Sequence, residues 1–514
     1  MNAPESYHEE LLSLIMTGAI SSKRELHRAK LDLCGKYGLV DVPSDSEVLS
    51  HATPGMRGSI NSLLRVKPTR SASGVAVVSV MTAPHPCPHG RCVYCPGGPS
   101  IGTPQSYTGR EPAAMRAAQH EYDPFSQTLA RLEQLQAIGH PTDKIELIIL
   151  GGTFTNLDFG YRERFVKRCL DAMNRCDSRD ITEAQSLNET ATSRCVGLTM
   201  ETRPDCFDER TIDHSMAFGV TRVEFGVQST DDGILKRVQR GHTVQQTREA
   251  TMAAKNAGLK VCYHMMPGLP GSTPATDLES FKRIFEEEPF KPDMLKIYPT
   301  VVLKGTGLYD MWKRGEYAPL STEEAVELIV KVKRMVPPWV RIQRIQREIE
   351  VDAVQAGLDK GHLRNLARRA MASRGERCWC IRCREVGLTG HALARNDVIL
   401  RRIDYQASGG KETFLSLENN AGDAIVGYLR MRHCGRGTFL RELKVFGEVV
   451  PFGDDPEDRW QHQGYGHKLV SECERIAADE LGASEVRVTS GVGARGYYRR
   501  LGYELREPYM VKAF

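Results

Sequence analysis

Cys87-Pro-His-Gly-Arg-Cys92-Val-Tyr-Cys95 sets three thiols within nine residues and offers no fourth beside them. Thiolates hold iron–sulfur clusters, and a cubane 4Fe–4S cluster takes four ligands. Three cysteines therefore leave one iron with an open coordination site. Such an iron can chelate the amino and carboxylate groups of S-adenosylmethionine and pass it an electron, which splits the sulfonium to a 5′-deoxyadenosyl radical. The same spacing also suits a zinc knuckle, with His85 or His89 as fourth ligand. What surrounds the stretch decides for the cluster.

From Val75 apolar runs alternate with helical stretches. Strands are expected at 75–81, 145–150, 196–200, 223–227, 261–266 and 294–298, each rich in Val, Ile or Leu and followed by a polar or Gly/Pro-bearing loop. Strands buried on both faces and alternating with helices predict a parallel sheet, here an incomplete (β/α)6 barrel over 75–320. Chemistry in such barrels sits at the C-terminal strand ends. Those ends carry the cysteine loop, Gly151-Gly152-Thr153, Glu201-Thr202-Arg203, Gln228-Ser229 and His264 to Gly268. Gly151 and Gly152 let the backbone approach a ligand closely. Glu201 and Arg203 can meet the amino and carboxylate ends of a methionine moiety, or form a plain ion pair. Tyr94 can pack on the cluster or on an adenine.

Cys87, Cys92 and Cys95 after the first strand, with a Gly-Gly turn after the second, resemble the radical S-adenosylmethionine superfamily. Two details differ from its commonest pattern. Four residues rather than three separate the first two cysteines, and Thr153 stands where a Gly-Gly-Glu turn would end.

A basic linker is expected over 321–390. Between Lys331 and Arg384 the sequence has 14 Lys and Arg against 5 Asp and Glu, although the whole chain is only +4. So localised an excess suits a phosphate backbone. Arg341, Arg344 and Arg347 recur every third residue. Cys378-Trp-Cys380-Ile-Arg-Cys383 then suggests a structural zinc, with His362 or His391 as fourth ligand and His362 preferred. A second iron–sulfur cluster and free buried thiols are the alternatives.

The last unit, 391–514, reads as strands at 413–417, 424–431 and 440–446, then Gln461-His-Gln-Gly464-Tyr-Gly466 opening a helix. A glycine-bearing loop at a helix N-terminus suits a pyrophosphate. With Tyr497 and Tyr498 downstream, this order resembles the acetyl-CoA-dependent N-acetyltransferase (GNAT) fold, α+β in class. The resemblance implies that Gln461, Gly464 and Gly466, with Tyr465 and His467 between and beside them, bind acetyl-CoA. It implies that the backbone of Glu442, Leu443, Lys444 and Val445 holds the thioester, and that Tyr498 protonates the leaving thiolate.

Residues 1–74 begin with an amphipathic helical pattern, Leu11 to Met16, followed by Lys23, Arg24, His27, Arg28 and Lys30, a moderate nucleic-acid signal. No apolar run reaches the roughly 18 residues of a membrane span, and the N-terminus lacks a signal-peptide pattern. Fourteen cysteines, six of them in two tight clusters, suggest metal binding in a reducing cytoplasm.

The combination of such an α/β barrel with an acetyltransferase domain, together with Gln105-Ser-Tyr-Thr-Gly109 and Arg441-Glu-Leu-Lys-Val, resembles the Elongator catalytic-subunit family. The resemblance implies an enzyme that makes 5-carboxymethyluridine at the wobble position of tRNA. It implies acetyl-CoA, S-adenosylmethionine, a 4Fe–4S cluster and zinc as ligands, and Lys144 as an acetyl-CoA contact. The tRNA anticodon stem-loop is the expected partner, with Elongator-type subunits or a second copy besides, and no membrane. The alternative is a protein lysine acetyltransferase whose iron–sulfur domain is structural; a third reading is a tRNA-binding assembly subunit with decayed chemistry.

Overall fold

The computed structural model describes residues 4–53, 55–56, 60, 63–389, 397–447 and 463–514. Gln461 and His391 lie outside the described residues.

Seven parallel strands form the central sheet: β1 (Ala76–Met81), β2 (Lys144–Leu150), β3 (Arg194–Thr202), β4 (Arg222–Gln228), β5 (Lys260–Met265), β6 (Met294–Ile297) and β8 (Arg341–Ile345). They pair in that spatial order, an open barrel, while β7 (Val302–Leu303) pairs antiparallel with β9 (Val354–Ala356). The first six match the apolar runs of the sequence. Alternate residues, such as Val78 and Val80, Ile145, Leu147 and Ile149, and Val223, Phe225 and Val227, pack outward in one core. The helices Phe159–Asn174, Pro274–Glu286 and Thr322–Met335 cover it. The last of these is started by a capping box between Ser321 and Glu324.

Two expectations change here. The strands were expected to be buried on both faces, yet β2 alternates buried with half-buried residues. Its inner side chains, Glu146, Ile148 and Leu150, face an open bore rather than a filled one.

The stretch 321–390 is also no linker. Helix Thr322–Met335 and β8 extend the barrel by a seventh strand, and helix Leu363–Ser373 packs on them. The every-third arginines sit largely on that strand, where Ile342 and Ile345 enter the core and Arg341 is buried against Glu385 at 2.9 Å. Several of the counted cations are satisfied within the fold in the same way: Arg384 by Glu418 at 2.8 Å and Arg374 by Glu327 at 2.7 Å. In the N-terminal helices Glu5–Met16 and Lys23–Tyr37, Lys30 likewise turns inward to Asp45 at 2.6 Å. Lys23, Arg24, His27 and Arg28 are exposed.

The second sheet runs β10 (Ile399–Ala407), β11 (Gly410–Glu418), β12 (Ile425–Cys434), β13 (Gly437–Val445), β14 (Glu485–Val488), then β16 (Tyr509–Ala513) and β15 (Glu504–Arg506). All pairs are antiparallel except β13 with β14. That parallel pair meets only at Phe439 and Leu440. Beyond Leu440 the two strands splay, so the 441–445 backbone no longer ladders with β14.

This sheet docks on the N-terminal ends of the barrel strands. A Cβ on Gly491 would lie 2.2 Å from the Val196 carbonyl oxygen, and one on Gly493 would lie 2.4 Å from Arg194 Cβ. Arg441 reaches across to Asp293 at 2.6 Å, both fully buried. Among the described residues, no helix is long and apolar enough to cross a membrane.

Candidate active site

The cysteine loop follows β1 and is tied down by Gln105. Its Oε1 accepts from the Cys87 N–H at 2.8 Å, and its Nε2 donates to the Gly90 carbonyl at 2.9 Å. Each thiol has a donor nearby. Thr153 Oγ1 lies 3.6 Å from Cys87, Arg240 Nη1 3.8 Å from Cys92, and the Ser106 N–H 3.3 Å from Cys95. Such donors stabilise thiolate charge. Burial pushes the Cys87 thiol up, against which Thr153 and Arg240 act.

A tetrahedral zinc with Zn–S near 2.3 Å sets its sulfurs about 3.8 Å apart. Cys378, Cys380 and Cys383 satisfy this, with ligand atoms all within 4.8 Å of one another. Cys87, Cys92 and Cys95 do not form such a group, with or without His85 or His89. The Cys378 triad therefore fits one ion, whereas the Cys87 triad is set wider than one ion takes. His362 stands outside the Cys378 group. It is exposed and caps helix Leu363–Ser373, its carbonyl accepting from the Asn365 N–H at 2.9 Å.

After β2 the chain turns through Gly151 (φ +129°) and Gly152 (φ +99°), and a Cβ on Gly151 would lie 2.0 Å from Thr82 Oγ1. Only glycine fits both the conformation and the approach. Glu201 and Arg203 do not pair with each other. Glu201 accepts from the Tyr107 hydroxyl at 2.9 Å, and Arg203 grips Asp205 through two bonds of 2.9 and 2.7 Å. This leaves Arg203 Nη1 buried without a partner. Gln228 Oε1 and the Tyr94 hydroxyl are buried and unpartnered too, and Gln228 is held at φ +68°. All three side chains line one cavity. Unpaired buried polar atoms aimed into a cavity are what a polar ligand such as S-adenosylmethionine would satisfy.

That cavity, of about 1250 Å³, follows the bore from end to end. At the cysteine end it is lined by Cys87, Tyr94, Gly152, Glu201, Arg203 and Gln228. At the other it is lined by Glu442, Leu443, Lys444 and Tyr498 of the second sheet. Between them Glu224 is fully buried, accepts from His264 Nε2 at 2.8 Å, and is paired with Lys296 and Arg222. Despite burial, the Lys296 charge, the His264 bond and the Arg222 charge hold the Glu224 carboxyl well below its usual range.

Arg222, Glu224, Lys296 and Arg240 escaped the pattern reading. For the first three the signal was charge within otherwise apolar strands, Arg222 and Glu224 at alternate positions of β4 and Lys296 in β6. Arg240 follows a helix and carried no such signal.

Gly464 caps helix Tyr465–Arg475 at φ +80°, and a Cβ on Gly466 would lie 2.8 Å from the Tyr497 hydroxyl. Tyr465 is half-buried at the first helical position, whereas His467 is exposed and bonds Ser471 at 3.3 Å. Val445 ends β13 and does not line the cavity. Lys144 opens β2 opposite Arg194, hence at the domain boundary, and also does not line the cavity.

A half-barrel parallel sheet with an open-site cysteine triad, joined to a splayed acetyltransferase sheet, defines a radical S-adenosylmethionine enzyme with a GNAT domain. The family models agree: Radical SAM superfamily over 85–284, Radical_SAM C-terminal domain over 292–373, and Acetyltransferase (GNAT) family over 393–503. The ELP3 N-terminal domain matches 5–72. The chain is 47% identical to the tRNA uridine(34) acetyltransferase of Methanocaldococcus jannaschii, over 98% of this chain and 96% of that one. It is 44% identical to human Elongator complex protein 3, over 95% and 93%. The solved structure of Methanocaldococcus infernus Elp3 with an N-terminal deletion matches with a TM-score of 0.76 and 45% identity, over 86% of this chain and 100% of that one. The chain belongs to the family of Elongator complex protein 3 and the tRNA uridine(34) acetyltransferases.

Proposed function

We propose that this enzyme modifies uridine 34 of tRNA, making 5-carboxymethyluridine from acetyl-CoA. The observation that carries the reading is the single bore that joins the cysteine loop to Tyr498 and β13. The acetyl methyl carbon carries no leaving group and is no electrophile for carbon 5 of uridine, so joining the two carbons calls for radical chemistry. A 4Fe–4S cluster held by Cys87, Cys92 and Cys95 supplies it when bound, as a deoxyadenosyl radical from S-adenosylmethionine.

The protein's own part is to place the two reactants. Gly151 and Gly152 give close approach, Arg203 Nη1 and Gln228 Oε1 take polar groups of S-adenosylmethionine, and Glu201 faces its amino end. Gly464, Tyr465, Gly466 and His467 sit where a pyrophosphate is held, the 442–445 backbone takes the pantetheine arm and thioester, and Lys144 stands at the boundary the coenzyme crosses. Three thiolates at 378, 380 and 383 hold a structural zinc, which pins the end of the barrel to the second sheet.

The tRNA lies across the open side of the barrel, where Arg70, Arg116, Arg131, Arg344, Arg347 and Arg364 line the cavity mouth. Phosphate contacts of this kind position an anticodon stem-loop, with its base turned out into the site. A reducing cytoplasm suits the thiols and the substrate.

Burial pushes the Tyr498 hydroxyl well above its usual range, so it stays protonated and able to donate to a leaving thiolate. Tyr498→Phe is expected to slow tRNA-stimulated acetyl-CoA hydrolysis by about 10²–10⁴-fold, the scale of a lost general acid. Release of 5′-deoxyadenosine, followed by chromatography, should persist.

The deciding assay combines anaerobically reconstituted protein with tRNA, acetyl-CoA, S-adenosylmethionine and a reductant, and then analyses the digested tRNA by mass spectrometry. Carboxymethyluridine that requires S-adenosylmethionine is the expected result. Acetyl-lysine on a parallel peptide with unchanged tRNA would overturn it.

A further inference from the structure

Between the two ends of the bore, one carboxylate oxygen is shared by two donors. Glu224 Oε2 accepts from His264 Nε2 at 2.8 Å and from the Lys296 ammonium, while Arg222 Nε stands 3.2 Å from Oε1. Glu224, Lys296 and Arg222 are all buried. Glu224, Cys262 and His264 are close enough together to serve as metal ligands, but Lys296 and Arg222 already neutralise the carboxylate. A metal ion added there would meet two cations.

An ionised carboxylate can only accept, so the imidazole nitrogen that faces it carries a hydrogen. In the neutral ring the other nitrogen then keeps a lone pair. That nitrogen is Nδ1. Among the described residues it has no hydrogen-bond partner, and it is not sealed from the cavity that His264 lines. Tyr298 packs edge-on against the ring at 5.4 Å and fixes its plane. Lys296 lines the same cavity and still has hydrogens to donate beyond its bond to Glu224.

The bore therefore presents a fixed acceptor beside a donor. Uracil offers the complement on its Watson–Crick edge, an N3–H next to a carbonyl oxygen, and carbon 5 lies off that edge. Cytosine would turn the lone pair of its N3 toward the same acceptor.

We infer that His264 selects uracil at position 34, its Nδ1 accepting from N3–H while Lys296 donates to the neighbouring carbonyl. Glu224 is the positioning residue that fixes the tautomer. The inference rests on the uridine reading of the site. Enzymes that act on an extruded base read it by hydrogen bonds to this edge. A site built to bond an N–H rejects the analogue that lacks it, because its own buried group is then left unpaired.

The test uses the reconstituted full chain with acetyl-CoA, S-adenosylmethionine, a reductant, and tRNAs that differ only in uridine or cytidine at position 34. The readout is the ratio of carboxymethylated products, which cancels any loss common to both substrates. The wild type should favour uridine by about a hundredfold, the scale of a buried polar group facing the wrong partner. The amide of His264→Asn is too short to reach Glu224 and can turn either face to the base, so the preference should fall to about tenfold or less. In Glu224→Gln the new amide can donate to Nε2 and move the ring hydrogen to Nδ1, which should lower the ratio through the tautomer rather than through shape. A wild-type ratio near one, or a ratio unchanged in both variants, overturns the inference.

Nitrogen NMR of the full chain with labelled histidine reads the tautomer without turnover. The ring resonances lost in His264→Asn should be those of a neutral imidazole protonated at Nε2. A ring that carries its hydrogen on Nδ1 overturns the inference even where both variants are inactive. A wild type that makes no carboxymethyluridine from uridine fails the functional reading instead.

Discussion

Cys92→Ala is expected to remove S-adenosylmethionine cleavage and uridine modification together, each by at least about a thousandfold, a barrier increase of about 4 kcal/mol or more. Cys92 is buried at the bottom of the loop, with Arg240 aimed at its sulfur and His89 Nε2 at 3.1 Å. No other cysteine adjoins the loop in sequence to replace it. Without that ligand only two thiolates remain, and a cubane held by two ligands is not retained. Iron content and the cluster's visible absorbance should fall with activity. Binding of acetyl-CoA, measured by calorimetry, should survive, because the other end of the bore is lined by Glu442, Leu443, Lys444 and Tyr498 and not by the cysteine loop. Full uridine modification by this variant would remove the cluster from the chemistry and leave the cysteine loop a structural part.

The order of elements around that triad was legible in the sequence because each strand buries one apolar face. Val78 and Val80, or Ile145, Leu147 and Ile149, repeat every second residue and need no tertiary knowledge to be found. The glycines were legible for a related reason, since φ +129° at Gly151 or +80° at Gly464 restricts the position to very few residues.

Side chains satisfied by distant partners were not legible. Arg341 and Arg384 looked like surface charge in a basic stretch, but their carboxylates lie on Glu385 and Glu418, and no local pattern announces such pairs. The same blindness made β8 look like a linker, because its arginines mask the two isoleucines that enter the core. His362 failed differently. Its proximity in sequence suggested a ligand, while the backbone uses the residue to begin a helix.

Arg441→Met should be the most destabilising single substitution at the junction of the two sheets, by about 3–5 kcal/mol, the usual cost of breaking a buried ion pair. Arg441 is fully buried and donates to both oxygens of Asp293, at 2.8 and 2.6 Å, and to Glu412 at 2.7 Å. Asp293 lies on the barrel side just before β6 and Glu412 on β11, so the guanidinium joins the two domains. Arg430 and Lys255 stand farther from Asp293, at 3.7 and 3.9 Å, and cannot replace its two direct bonds.

The sign of the pH dependence follows from the carboxyls. Burial opposes their charge, yet the Arg441 and Lys255 charges hold both Asp293 and Glu412 below their usual ranges. A depressed folded-state pKa gives stability that is present above the unfolded values, near 4, and is lost as pH falls. In Arg441→Met burial acts with less opposition, so the two carboxyls rise and the variant loses less stability on acidification. Urea midpoints should therefore differ most near neutral pH and converge as pH falls below about 4, where the wild type loses that share of its stability. A gap that stayed constant over that range would mean that Arg441 acts through packing alone, and that the two domains are held together by shape rather than by charge.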